Sequence, residues 1–207
     1  MKKTVMITLF TALGLGAFQT NLFAQKPMVG IHVGATMDQT IGTDLKGAFS
    51  GTFMAGAYGG LRFHKVGLHA ELNFSQSSIT TGDNFKAAFG NYLSANAANV
   101  KSGTFKLNEL SIPVLVSFNL VKGLWIEVGP QYTAVVSIKD KDEFLKATSD
   151  VFKTGYISGA AGLWIDLPFH LKVSGRYIFG ITDRNKTTIQ QDWRTGQIQL
   201  AVGYSFL

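Results

Sequence analysis

Apolar and polar residues alternate with a period of two from residue 29 to the end of the chain. Val66, Leu68, Ala70, Leu72 and Phe74 are interleaved with Gly67, His69, Glu71, Asn73 and Ser75. The same comb returns in Ile198, Leu200, Val202, Tyr204 and Phe206, set against Gln197, Gln199, Ala201, Gly203 and Ser205. Successive side chains leave a β-strand on opposite faces, so this period demands strands with one apolar and one polar face. Eight segments carry it: Val29–Thr36, Thr52–Phe63, Gly67–Ser78, Thr104–Asn119, Leu124–Ile138, Thr154–Leu167, Leu171–Ile181 and Thr195–Phe206. Most reach or exceed the roughly 9–11 residues that a tilted strand needs to cross a bilayer. The first is short, and its start is expected nearer the N-terminus.

The connections alternate in length. His64–Val66, Leu120–Gly123 and Pro168–His170 are tight, whereas the stretches near 37–51, 79–103, 139–153 and 182–194 are long. Short turns and long loops in strict alternation are the pattern of a transmembrane barrel, with turns periplasmic and loops extracellular. An even strand count then leaves both termini on the periplasmic side. The expectation is an all-β chain: an eight-stranded antiparallel up-and-down transmembrane β-barrel.

A soluble barrel with an apolar interior would need a solvated exterior dense in Lys and Glu. Here the polar face carries Gly30, Gly34, Gly56, Gly60, Gly129, Gly162 and Gly203 with few charges, which suits a crowded lumen. The apolar face places Phe63, Phe118 and Phe206 toward the turns, and Phe53, Phe74, Tyr132 and Phe179 toward the loops. Aromatic girdles of that kind mark where a barrel meets lipid headgroups. Two prolines, Pro113 and Pro130, fall inside strands, where a closed barrel has no edge to hold them, so a bulge or local break is expected at each. In the fourth segment Phe105 and Leu107 share one parity and Leu110, Ile112, Val114, Val116 and Phe118 the other. A bulge near Asn108-Glu109 accounts for that slip and leaves the facing of Glu109 open.

The N-terminus has the form of a secretory signal: Lys2 and Lys3, the apolar stretch Val5 to Phe18, and Leu22-Phe23-Ala24 before Gln25. The division expected is 1–24 signal peptide and 25–207 barrel domain. The chain has no cysteine, which removes disulfides, thiolate nucleophiles and lipid acylation of a cysteine. Beyond the signal, no run of about 18 apolar residues is left to make a transmembrane helix. The formal charge of +6 falls to about +4 with Lys2 and Lys3 removed. The remaining cations are spread through loops and mixed with acids, which is not the clustered patch that nucleic acid requires.

Several of these stretches are similar to a known family. Leu107-Asn108-Glu109-Leu110-Ser111-Ile112-Pro113-Val114 followed by Glu127-Val128-Gly129-Pro130-Gln131 resembles the PorT-like outer-membrane β-barrel family. Leu68 to Gln76 resembles its third strand, and Arg176-Tyr177, Gly180-Ile181-Thr182 and Gly203-Tyr204-Ser205-Phe206 its last hairpin. The resemblance implies a small Gram-negative outer-membrane barrel of the cell envelope, usually without an assigned activity. Its namesake is associated with a secretion apparatus that exports proteins across the outer membrane. The closing Tyr204 and Phe206 imply recognition by the barrel-insertion machinery, although the chain ends on Leu207 where such barrels commonly end on Phe.

With apolar residues outward, the inward set contains Arg62, His69, Glu71, Glu127, Asp166, Lys172 and Arg176. Glu71, Glu127 and Arg176 lie at similar height, and Arg62, Asp166 and Lys172 nearer the turns. Opposite charges across a narrow lumen pair, because unpaired they would be costly. The simplest reading of Arg62, Glu71, Glu127, Asp166, Lys172 and Arg176 is a structural charge network filling the barrel, and the sharper one a gate or binding site. An eight-stranded barrel is just wide enough for side chains to fill it, which favours a plug over a pore.

A hydrolase needs a nucleophile, a base and an orienting group within reach of one another. His64 and His170 fall in turns, His32 and His69 face the lumen, and no Ser-His-acid set meets on the outer rim. No catalytic residue is therefore assigned and no enzyme is expected. His69 and Glu71 share a face without a third metal ligand. The Gly56–Gly60 run leads into no phosphate-binding helix. No metal and no cofactor are expected. In the second long loop Phe85, Ala88, Phe89, Tyr92 and Leu93 fall at helical spacing. They make either an amphipathic helix at the membrane or against a partner, or a segment that caps the mouth. The partners expected are outer-membrane lipids, the insertion machinery, and envelope or secretion proteins met through the extracellular loops. The barrel itself is expected to be a monomer.

Overall fold

The computed structural model describes residues 26–41, 45, 50–82, 84–140, 142–187 and 193–207. The expected signal segment, 1–24, lies outside the described residues. Eight strands close into one antiparallel barrel in chain order. They are β1 (Lys26–Ile41), β2 (Ser50–Arg62), β3 (Val66–Thr80), β4 (Thr104–Val121), β5 (Leu124–Asp140), β6 (Gly155–Asp166), β7 (Leu171–Gly180) and β8 (Arg194–Ser205). The seam is the β1–β8 ladder, with Val33 opposite Val202. Closure pairs every strand on both sides, so no sheet edge is left open. β1 runs well past the alternation that announced it, starting at Lys26 and continuing to Ile41.

Burial follows the comb. Leu72 is 50% exposed on the outside while its neighbour Asn73 is 1% exposed in the lumen. Val33, Phe53, Leu72, Val114, Val128, Tyr177 and Leu200 are likewise all exposed on the outer face. An apolar exterior over a polar interior is the inverse of a soluble protein, and it is stable only in lipid.

At one end, which we call the turn end, β2–β3, β4–β5 and β6–β7 are joined by turns of two to four residues. The β6–β7 turn places both Phe169 and His170 at positive φ, 62° and 63°. Asn-Gly usually fills such a turn, because a left-handed backbone crowds any Cβ. The other end, the loop end, carries the long connections.

β4 keeps a single parity from end to end, so the slip expected within it is corrected. Glu109, Ser111, Pro113, Leu115 and Ser117 all point inward, as do Phe105 and Leu107. The irregular register opposite Asn108 and Glu109 belongs to β5. Asn108 faces Ser137 and Glu109 faces Val135, leaving Val136 without a partner. The apolar parity changes because the lumen itself turns apolar at the loop end. Around the prolines the pairing skips without changing register. β3–β4 partners pass from Ala70/Val114 to Asn73/Ser111, and β4–β5 partners from Pro113/Gln131 to Val116/Val128. A local break at each proline is thus what the ladder contains.

Three isolated bridges tie the loops together: Leu45 with Thr81, Leu93 with Leu145, and Phe152 with Asn185. Beneath them lies an apolar cluster that includes Phe85, Phe89, Phe105, Phe144, Phe152 and Trp193, each fully buried or nearly so. Phe85 stacks on Phe89 at 4.3 Å, and Trp193 lies 5.3 Å from Phe89 and 5.6 Å from Phe152. The helical spacing in the second loop breaks into one turn, Phe85–Ala88, and two short 3-10 segments, Gly90–Tyr92 and Ala95–Asn99. Its apolar residues point into this cap, and of the two readings of the loop the capping one describes them.

Candidate functional site

The lumen is stacked in layers, and the pleat assigns each side chain to its layer. At mid-height β3 presents His69, Glu71 and Asn73, β5 presents Glu127, β7 presents Arg176 and β1 presents His32. The Arg176 guanidinium donates to Glu71 through Nη1 and Nη2, each at 2.8 Å. Its Nε and Nη2 donate to Glu127 Oε1 at 2.9 and 2.7 Å. This planar fork on β7 holds two carboxylates, one from β3 and one from β5, a geometry a lysine ammonium lacks. Asn73 Nδ2 donates to Glu71 Oε2 at 2.8 Å. Asn73 Oδ1 must then accept, so His32 Nε2, 2.7 Å away, is its donor. His69 Nε2 lies 3.5 Å from both Glu71 and Glu127. Two carboxylates face one guanidinium here, and the His69 ring sits where a second positive charge would balance them.

Space for this cluster comes from Gly56. A Cβ there would run into Asn73 Oδ1 and stand 2.7 Å from His32 Nε2. The small residues of the polar face are therefore the clearance that the large lumen side chains require. Arg176 occupies the gap between the carboxylates that a cation would need. Among the described residues no group of three or more His, Asp or Glu is placed to hold a metal ion.

Toward the turn end lies a second layer. Asp166 accepts from Arg62 Nη1 at 2.5 Å and from the indoles of Trp125 and Trp164 at 3.1 Å each. Lys172 Nζ is 3.3 Å away. Arg62 lies over the Trp125 ring at 4.3 Å and Lys172 over the Trp164 ring at 4.5 Å. Met28 and Tyr58 complete the apolar floor. Toward the loop end, Arg184 donates to Glu109 at 2.5 Å and to Thr195 at 3.0 Å, with Tyr156 donating to Glu109 at 3.2 Å. Asp38 accepts from Gln197, and Thr36 and Thr52 add contacts of 3.1 Å each.

The six charged residues singled out by parity thus fall into two separate clusters. Arg176, Glu71 and Glu127 form the middle one, and Arg62, Asp166 and Lys172 the one at the turn end. Sequence reasoning passed over Trp125 and Trp164, whose parity with Glu127 and Asp166 was available as a signal. It also passed over Arg184, which sits in a loop and carries no parity at all.

An apolar-girdled, lumen-filled antiparallel barrel defines a membrane-spanning protein of the outer-membrane type. The family model for the outer membrane protein beta-barrel domain matches residues 19–184, and the chain belongs to that family. No curated protein matches it. Among solved structures it is similar to Ail, the attachment invasion locus protein of Yersinia pestis. The identity is 12% with a TM-score of 0.49, covering 87% of this chain and 99% of that one. It is also similar to Neisserial surface protein A, at 11% identity and TM-score 0.48, with 86% and 97% covered. The outer membrane protein AlkL matches at 12% identity and TM-score 0.40, with 86% and 90% covered.

Proposed function

We propose that this outer-membrane barrel is a closed, non-enzymatic protein that acts through its long-loop face, in a structural or surface-interaction role. The observation that carries the reading is the cap. Phe105, Phe144, Phe152 and Trp193 are buried beneath loops that bridge one another, which supports a shaped loop-end surface over a plugged lumen. Loops held on a rigid scaffold are where recognition commonly resides. With the loops extracellular, both termini and the short turns face the periplasm. Outer-membrane lipids surround the barrel, the insertion machinery assembles it, and it works as a monomer.

The test has two parts on the folded barrel in bilayers. Planar-bilayer recording is expected to give no steady conductance, and a reproducible open channel would replace this reading with a pore. Single cysteines at positions 84 and 142 should react with an impermeant reagent on whole cells, and those at 64 and 170 should not. The reverse pattern would invert the orientation.

A second reading, an accessory of a protein-secretion apparatus, rests on the resemblance of Leu107–Val114 and Glu127–Gln131 to the PorT-like family. Stoichiometric co-isolation with a large envelope complex from native outer membrane would favour it over the first.

A further inference from the structure

A cavity of about 500 Å³ opens at the turn end, between the start of β1, the β2–β3 turn and the β4–β5 turn. Its polar lining is cationic: Lys26, Arg62 and Lys122, with His64 beside them and Trp125 as a wall. A second cavity of about 310 Å³ shares Arg62 and Asp166 and reaches Lys172 and Phe169. Asp166 is the single carboxylate side chain of either lining. It is already engaged by Arg62, Lys172 and both indoles, which uses the acceptor capacity of its two oxygens. Lys26 and Lys122 have no carboxylate partner among the described residues. Arg62 Nε is buried without a hydrogen-bond acceptor, although buried donors are nearly always paired.

We propose that the turn-end mouth is an anion-binding site that takes a compact oxyanion of phosphate type. The anion lies between Lys26, Lys122 and the Arg62 fork, against the Trp125 ring. A concave site with an excess of one sign of charge, its one carboxylate already paired, and walled by an aromatic ring focuses its field and concentrates counter-ions. The Arg62 fork suits a tetrahedral oxyanion because it presents donors in a plane, and Asp166 occupies only one of its ends. The loop end has no such field, since Lys101, Lys139 and Lys146 are mixed there with Asp140, Asp142 and Glu143. The cavity volume falls within the roughly 300–1,000 Å³ of small-molecule sites. The same chemistry is offered by a free phosphate or diphosphate and by a phospholipid headgroup of the adjacent leaflet. The assignment does not depend on which compartment the turn end faces.

The experiment uses the full barrel in nanodiscs of phosphatidylcholine, whose net charge is zero, titrated with inorganic pyrophosphate. Binding is read from the indole resonance of Trp125 and the amide of Gly123, with calorimetry alongside. A saturable shift is expected, weaker at physiological than at low salt because exposed charges are screened beyond about 8 Å. Lys26→Gln with Lys122→Gln should weaken affinity by about tenfold, removing two of the cations that set the local field. Both positions are exposed, so folding should be intact, and Lys101→Gln with Lys139→Gln at the loop end should leave binding unchanged.

In a second arm phosphatidylglycerol replaces part of the lipid. If it alone moves Trp125 and pyrophosphate then competes, the site takes headgroup phosphate. If it leaves Trp125 unmoved while pyrophosphate still binds, the site takes a free anion. No saturable shift with either probe, or equal binding by the Lys26/Lys122 double variant, overturns the proposal.

Discussion

At the loop end, Phe105, Phe152 and Trp193 are covered by chain from three connections, whereas at the turn end Trp125 and Trp164 lie under Arg62 and Lys172 with open cavity beyond. The length of the connections accounts for the contrast. A long loop can cross the mouth and bring its own apolar side chains, so the loop end is closed by hydrophobic burial. A turn of two to four residues cannot cross, so closure at the turn end falls to side chains projecting from the strands. Those side chains meet water, and the solution is ions packed on aromatic faces, where the charge stays partly hydrated and the ring gains a cation–π contact. The loop end is covered by buried apolar surface, with the Arg184–Glu109 pair enclosed beneath it, and the turn end is held by ions on its rim. The layer between them belongs to neither, because its carboxylates are almost entirely removed from water and are paired with the cation they share.

That layer sets the largest expected effect. Arg176→Met removes the cation that four hydrogen bonds hold between Glu71 and Glu127 and leaves two buried carboxylates facing each other. Breaking a buried pair by deleting one partner costs about 3–5 kcal/mol. Urea unfolding in lipid measures it, and a double-mutant cycle with Glu71→Gln should be non-additive by at least about 0.5 kcal/mol. Additivity with both Glu71→Gln and Glu127→Gln would mean that the contacts carry no coupling energy.

The middle layer was also the most legible part of the site. Its members are charged residues on strands, where parity alone fixes facing and distance from a turn fixes height. At the turn end the same rule placed Arg62, Asp166 and Lys172 but missed their aromatic partners, and at the loop end it missed the cap, for different reasons. At the turn end, apolar and aromatic residues were sent outward as a class, although Trp125 shares its strand face with Glu127, and Trp164 with Asp166. At the loop end the cap is assembled from loop residues such as Phe85, Phe144 and Trp193, whose contacts are long-range and leave no local period. Glu109 shows the limit well. Its inward facing followed from unbroken β4 parity, but the apolar Phe105 and Leu107 mimicked a slip because the lumen had turned apolar. The barrel was legible in outline because strand period and connection length are local properties, and the plugs were not because they are properties of the closed object.

The cap supplies the next effect. Trp193→Ala empties a fully buried site among Phe85, Phe89 and Phe152, and such truncations cost about 3–5 kcal/mol when the loss is global. Here the loss should be local, because the barrel ladders do not pass through the cap. Protease cleavage in the 84–99 and 142–153 segments should rise sharply while the barrel midpoint in urea moves little. A midpoint that falls as far as in Arg176→Met would show that cap and barrel unfold as one unit.

Asp166→Asn tests the other end. The amide oxygen still accepts from an indole, but Arg62 and Lys172 lose their common counter-charge. The group is partly exposed, so water takes up some of the deficit, and about 1–3 kcal/mol is expected for a charged hydrogen-bond acceptor in that setting. The loss should deepen at low salt, where the unpaired cations repel one another over a longer range. A salt-independent loss would point to packing rather than charge.

Lys153 and Asp183 provide the smallest effect and the sharpest contrast with the middle layer. Their charges stand 3.8 Å apart at the loop end, and the side chains are 42% and 27% exposed. Both are solvated with or without the contact, so pairing removes little hydration and returns little energy, while holding the lysine costs it rotamer freedom. Lys153→Gln should therefore change stability by less than about 0.5 kcal/mol, an order below Arg176→Met despite the same formal deletion of one cation. Salt should not separate the variant from the parent. If Lys153→Gln instead cost as much as Asp166→Asn, the solvated rim of the loop end would depend on charge as the turn end does. The division between an end closed by burial and an end closed by ions would then fail.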